Sequence, residues 1–323
     1  MSEHAPASER RPSKVAIVGA GSVGATLAYA TLMRGAARQV ALYDINREKV
    51  RAEALDIAHG IQFMPMGEIE GSDDIEVCRG ADVVVVTAGA KQQPGQSRLD
   101  LAENTVGLVR AIVPELLTVA PDAIVLMVTN PVDVATAAAL KVAGLPAQRV
   151  FGSGTVLDTS RLRYLLARET GLAVQNLHAY VVGEHGDSEI TLWSSAMVGV
   201  VPLLDWSTTH APLLDAEARD RIAGEVVGAA YQIIAGKGAT NYAVALAGAS
   251  IIEAVLRSEN RVMSVSSELD DYVGISDVCL SVPTVVGREG IGEKLVPPMT
   301  PAEVAGLRAS ADRIREVLRR LGL

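Results

Sequence analysis

The strongest constraint on the fold is a set of three glycines, Gly19, Gly21 and Gly24. They lie between a short β-branched run, Lys14 to Val18, and a segment of helical composition, Ser22 to Arg34. A strand that passes at once through glycines into a helix opens a βαβ unit, whose crossover is right-handed. The pattern then repeats: Val40 to Tyr43 reads as a strand and Asn46 to His59 as a helix. Ala81 to Val86 is apolar on both faces, as a central parallel strand must be. Arg98 to Val119 reads as a long helix, and Ala123 to Val128 as a buried strand ended by Asn130-Pro131. This alternation predicts an α/β fold, a doubly wound and mostly parallel Rossmann sheet.

After about Val150 the pattern changes. Leu157 to Glu169 and Ala216 to Ala235 look helical, while Arg261 to Glu268, Val278 to Val286 and Lys294 to Val296 look like antiparallel strands. Pro301 to Leu321 reads as a closing amphipathic helix with proline in its first turn. This half is expected to be α+β. A length of 323 residues suits two domains. The expected division is a loose tail over 1–13, a first domain over 14–150 and a second over 151–323. Neither an internal repeat nor a low-complexity linker separates them, so the two should pack closely.

Charge and composition exclude several functions. Lys plus Arg is 29 against 38 Asp plus Glu, a net charge of −9, and aromatics make up 3%. That is neither the field nor the stacking surface expected of a nucleic-acid binder. Two cysteines cannot build a disulfide framework or a thiolate zinc site. The five histidines form no cluster at ligand spacing, so no metal is expected. Val15 to Met33, uncharged and preceded by Arg10, Arg11 and Lys14, imitates a signal peptide. Its only bulky apolar run is Val15 to Val18, broken by the glycines that follow. A membrane span needs roughly 20 mostly apolar residues, so a cytoplasmic protein without a membrane segment is expected.

The glycines have a further meaning in context. Gly19 permits a tight turn, Gly21 lets the backbone approach a pyrophosphate at the helix N-terminus, and Gly24 lets helix and strand pack closely. Asp44, twenty residues after Gly24, stands at the end of the second strand. Its carboxylate can accept from ribose hydroxyls and would repel a 2′-phosphate. The expected cofactor is therefore NAD rather than NADP.

Three further segments carry polar groups suited to chemistry. Ala88 to Arg98 follows a buried strand whose carboxyl end faces the ligand crevice. A mobile loop there, ending in arginine, could close on a substrate; an ordinary surface loop would look the same. Asn130 could bond a substrate oxygen or the nicotinamide carboxamide, or simply form an Asn-Pro turn. In Gly183-Glu184-His185-Gly186-Asp187-Ser188, a histidine between glycines is exposed for proton transfer. Asp158 and Arg161 share a helix face. Asp158 could orient His185 while Arg161 holds a carboxylate. A surface ion pair beside an unrelated histidine remains the other possibility.

Taken together these segments closely resemble the lactate/malate dehydrogenase family, on its L-lactate branch, over essentially the whole chain from Lys14. The motifs are GAGSVG at Gly19, TAGAKQQPGQSRLDL at Thr87, TNPVD at Thr129, GSGTVLDTSRLRY at Gly152, GEHGDSE at Gly183 and GKGATNYA at Gly236. The resemblance implies that His185 exchanges the proton with Asp158 as its partner, that Arg161 anchors the substrate carboxylate, and that Arg98 polarises the carbonyl. Gln92 would face the substrate side chain, where malate dehydrogenases carry arginine. Asn130, Asp133 and Thr240 would complete the substrate set. Cofactor contacts would come from Gly19, Gly21, Ser22, Val23, Gly24, Asp44, Lys49, Gly89, Ala90, Val128, Asn130 and Ser153. Pyruvate and L-lactate would be the substrates. Gln96 stands where many members carry an acid that repels dicarboxylates, so discrimination against oxaloacetate is expected to be looser.

The resemblance also implies regulation. Relatives activated by fructose 1,6-bisphosphate carry basic residues at the positions of Arg163 and His178. A two-fold axis in a homotetramer would bring four such side chains to one bisphosphate. The alternatives are a malate or other 2-hydroxy-acid dehydrogenase, a catalytically idle NAD-binding protein, and a distantly related NAD-dependent glycosidase. The idle protein would have no need of His185, Asp158, Arg98 and Arg161. The glycosidase would want a metal site.

Overall fold

The computed structural model describes residues 11–89, 98–207 and 214–323. Its first half runs β1 (Lys14–Val18), α1 (Ser22–Met33), β2 (Gln39–Tyr43), α2 (Arg47–His59), β3 (Glu68–Ser72), β4 (Val83–Val86), α3 (Arg98–Val119), β5 (Ile124–Met127), α4 (Val132–Ala143) and β6 (Val150–Gly152). The six strands are parallel, in the order β3-β2-β1-β4-β5-β6. The order reverses between β1 and β4, and a crevice opens outside their carboxyl ends. Part of the expected tail is described: Arg11 pairs with Asp82 at 2.8 Å, and the Ser13 carbonyl accepts from the Gln39 amide.

The second half runs α5 (Val156–Thr170), β7 (Leu177–His178), β8 (Val181–Val182), β9 (Ile190–Thr191), β10 (Met197–Val198), β11 (Val201–Pro202), α6 (Ala216–Lys237), α7 (Tyr242–Leu256), β12 (Arg261–Leu269), β13 (Val278–Gly287), β14 (Gly290–Lys294) and α8 (Pro301–Arg320). The antiparallel strands β12, β13 and β14 do not form a separate sheet. Ser266 of β12 pairs with Gly152 of β6, so one nine-stranded sheet runs through both halves. The last strand also lies earlier than the expected Lys294 to Val296. Gly287 pairs with Gly290 across a two-residue turn, which fixes the register, and the expected segment runs instead into Pro297 and Pro298.

Side-chain alternation divides the core into two layers. Val83 and Val85 join Val15 and Ile17 on one face, against α1 and α7. Val84 and Val86 join Ala16 and Val18 on the other, against α3, α4 and α8. A third cluster, around Leu162, Leu166, Val181 and Ile222, packs α5 and α6 over the short strands. The helix α8 starts with a capping box in which Thr300 and Glu303 satisfy each other's amides, and Pro301 opens the helix. Among the described residues no helix is long and apolar enough to cross a membrane.

Candidate active site

The crevice at β1 and β4 is shaped by its glycines. Gly19 has φ +103°, and a Cβ there would meet the Ala88 amide nitrogen at 2.8 Å. A Cβ on Gly24 would lie 1.8 Å from the Gly19 carbonyl oxygen, so α1 can touch the turn only without one. Gly21 faces open space, as a backbone approached by a ligand should. No side chain caps the start of α1, so its first N–H groups stay available to an anion. Asp44 holds this turn from the side, accepting from the Ala20 amide at 2.7 Å and the Asn46 amide at 2.9 Å. These residues fit a dinucleotide.

Other expected cofactor residues fall along the same sheet edge. Gly89 follows β4, while Val128 donates its amide to the Val86 carbonyl and Ser153 donates to the Met127 carbonyl. Lys49 lies in the first turn of α2, on its exposed side. Ala90, Gln92 and Gln96 lie outside the described residues, and Arg98 is described only as the first residue of α3.

A cavity of about 500 Å³ opens beside Asn130 and Pro131 and is lined by Asp158, Arg161, His185 and Glu189. The Asn130 carbonyl accepts from the Thr105 hydroxyl at 3.0 Å, and the peptide to Pro131 is cis. Asp158, on the first turn of α5, is 2% exposed and bridges two cations. One oxygen meets His185 Nδ1 at 2.6 Å and the other meets Arg161 Nη1 at 2.5 Å. The His185 ring remains 23% exposed, enough to meet a ligand. A larger cavity, about 570 Å³, lies between α4, β13 and α8, and none of the sequence-predicted site residues lines it.

The electrostatics follow from burial and pairing. Burial alone would strip the proton from His185. The charge and hydrogen bond of Asp158 outweigh it and raise the imidazolium to about 9. Burial likewise opposes ionisation of Asp158, but His185 and Arg161 together hold its carboxyl below the usual range. The sequence did not single out Glu189, next to β9. Burial, reinforced by the nearby charge of Asp158, pushes it up to about 8. Donor atoms of Asp158, His185 and Glu189 all lie within 4.8 Å of one another, close enough to share a cation.

Asp133 lies behind the His185 loop. It is 1% exposed and does not line the cavity. One oxygen accepts from the Ser266 hydroxyl at 2.6 Å and the other from the His185 backbone amide at 2.8 Å. The first turn of α4 aims it behind the histidine, where it anchors the loop through the His185 amide; burial raises it to about 6. Thr240 lies between α6 and α7 and is not among the cavity-lining residues. Neither Arg163 nor His178 lines the cavity. Arg163 donates Nε to the Ala179 carbonyl at 3.0 Å and stacks over Tyr180 at 5.0 Å.

A parallel sheet with a glycine-lined nucleotide crevice, next to a histidine–aspartate–arginine cavity, defines a dinucleotide-dependent dehydrogenase. The chain belongs to the lactate/malate dehydrogenase family: the family's NAD binding domain matches residues 13–152 and its alpha/beta C-terminal domain residues 155–321. It is 56% identical to the L-lactate dehydrogenase of Bifidobacterium animalis subsp. lactis, covering 97% of this chain and 98% of that one. It is 43% identical to the L-lactate dehydrogenase of a Thermoanaerobacter species, over 96% and 100% of the two chains. Among solved structures, the minor L-lactate dehydrogenase of Enterococcus mundtii in its ligand-bound form superposes with a TM-score of 0.92 at 37% identity, covering 95% of this chain and 98% of that one.

Proposed function

We infer that this chain is an NAD-dependent L-lactate dehydrogenase, interconverting pyruvate and L-lactate. The observation that carries this reading is the Asp158 carboxylate shared between His185 and Arg161 at the wall of the cavity. The 56% identity to an L-lactate dehydrogenase over nearly the full length supports it. NAD would be held by the Gly19 turn, the start of α1 and Asp44; when bound it supplies or takes up the hydride at the substrate carbon.

The chain's own residues do the rest. A guanidinium has five donors, and the single Asp158 contact leaves Arg161 others with which to grip the substrate carboxylate. Asp158 occupies His185 Nδ1, which turns Nε2 toward the substrate. Protonated, His185 donates to the oxygen of pyruvate as it gains negative charge; neutral, it accepts the proton of lactate. Arg98, at the start of α3, polarises that oxygen. Gln92 is uncharged, so a second substrate carboxylate would be buried without a partner, a costly arrangement. That favours a monocarboxylate. Asn130 spans the cofactor and substrate sides, and Thr240 borders the substrate methyl. The functional division is a dinucleotide half over 14–150 and a substrate half over 151–323.

Regulation belongs to the same reading. Arg163 and His178 bind fructose 1,6-bisphosphate across a two-fold axis of a cytoplasmic homotetramer. Support comes from the side-chain bond of Arg163 to Ala179, the residue next to His178. The test of the activity is direct. The purified chain should consume NADH with pyruvate and form L-lactate in equal amount, with NADPH a poor substitute because of Asp44. No L-lactate would refute the assignment.

A further inference from the structure

Glu189 is an acid of the cavity for which the reaction as described has no role. Its backbone is fixed: it precedes β9, which pairs with β8, and its amide donates to the Gly186 carbonyl at 3.2 Å. Oε1 of its carboxyl group is buried and has no hydrogen-bond partner among the described residues. A buried polar atom left unpaired costs stability, on the order of 1–3 kcal/mol, so each one in a native protein calls for an explanation.

The other charges around it are engaged. On α5, Asp158 serves His185 and Arg161. On α4, Asp133 is held by Ser266 and the His185 amide. In the same loop Glu184 accepts from Ser188, and Asp187 accepts from Tyr231 of α6 at 2.7 Å. Across the cavity on α8, Glu316 and Arg320 pair at 2.8 Å.

We propose that Glu189 is a positioning residue for the proton on His185: once ionised, it stands as a second counter-charge to the imidazolium and holds the proton there to higher pH than Asp158 alone would. The proposal rests on His185 as the proton-transfer group. The geometry suits it: a carboxylate oxygen of Glu189, one of Asp158 and a ring nitrogen of His185 all lie within 4.8 Å of one another, so a charge on Glu189 acts directly on the imidazolium. The engaged Arg161 beside Asp158 makes a proton, rather than a divalent cation, the natural occupant of the cluster.

An opposite charge about 4–6 Å away moves a titration by about 1–3 pH units, and the partly open cavity puts Glu189 at the lower end. The test is the ring titration of His185 by NMR in the cofactor-free protein, assigned by its loss in His185→Asn. Glu189→Gln keeps the shape and removes the charge; the His185 midpoint should fall by about one pH unit. The pH profiles of pyruvate reduction and lactate oxidation should move down by the same amount. Glu189→Asp, with its carboxylate withdrawn by one methylene, should move the midpoint the same way by less, and it serves as the deciding variant if Glu189→Gln does not fold. An unmoved His185 midpoint, or an equal loss of activity at every pH, would overturn the proposal. So would a rise of the His185 midpoint on adding EDTA to the unmodified protein, since a cation would then have occupied the cluster. The NMR readout needs neither substrate nor cofactor, so it separates this proposal from the assignment of the activity.

Discussion

In the proposed reaction the chemistry at His185 depends on one proton, and Asp158 is the group that keeps it. Its bond to Nδ1 and its charge hold the imidazolium to about 9. Reduction needs the protonated ring and oxidation the neutral one. Reduction is therefore expected to fall, and oxidation to rise, as pH climbs through about 9; stopped-flow profiles that move together would contradict the role. His185→Asn should lose about a hundred- to ten-thousand-fold in turnover, with NADH binding, read by fluorescence, largely retained. Asp133 marks where residue-level reading stops. In the sequence it is one more acid beside Asn130-Pro131, and its use as an anchor for the His185 amide depends on Ser266, distant in the chain. Glu189 lies within a motif legible in the sequence. Its approach to Asp158 comes from the β8–β9 pairing, which two-residue strands leave no pattern to announce. At Gln92, outside the described residues, arginine would lack a partner with pyruvate and gain one with oxaloacetate. Gln92→Arg should shift the ratio of catalytic efficiencies toward oxaloacetate by roughly a thousandfold, from charge-assisted bonds of about 1.5–3 kcal/mol each. A ratio that barely moves would remove Gln92 from the pocket.

Among the elements, the helices α3 and α8, each with a wet face, and the wholly apolar strands β4 and β5 appear where expected, because periodicity, caps and unbroken apolar runs are local signals. The helices α4 and α7 carry no such signal. α7, YAVALAGASIIEAVL, is buried around much of its circumference and has no polar stripe to set a period. What fixes α7 is its packing on α1. Glu253, 3% exposed, receives Arg34 from α1 at 2.5 Å and Arg257 from its own helix at 3.4 Å. Arg257 also caps the end of α1 through the carbonyls of Arg34 and Gly35. Breaking a fully buried pair costs about 3–5 kcal/mol. Arg34 is 41% exposed and Arg257 remains, so Arg34→Ala should cost less, about 1–2 kcal/mol. Urea unfolding would measure it; no change in midpoint would show that the pair does not clamp the two helices.

For the whole molecule, the sequence predicts an α/β half and an α+β half but not their union in one sheet. The join is a single pairing, Ser266 with Gly152, between strands more than a hundred residues apart. That join matters for function. It sets β12, with Ser266, behind Asp133 and His185, so the loop that carries His185 is braced from the same sheet that forms the nucleotide crevice. Regulation also belongs to this scale. Fructose 1,6-bisphosphate should lower the Michaelis constant for pyruvate, and by linkage NADH with a pyruvate analogue should tighten bisphosphate binding equally. Replacing Arg163 and His178 together with alanine should abolish the response and leave turnover without effector intact. Absence of binding by calorimetry would end this idea. In the proposed reaction the site accepts one substrate carboxylate, gripped by Arg161, and His185 delivers the proton. The ratio of kcat/KM for pyruvate and oxaloacetate with saturating NADH decides it. The expected result is a clear preference for pyruvate with measurable turnover of oxaloacetate; equal or greater efficiency with oxaloacetate would contradict it.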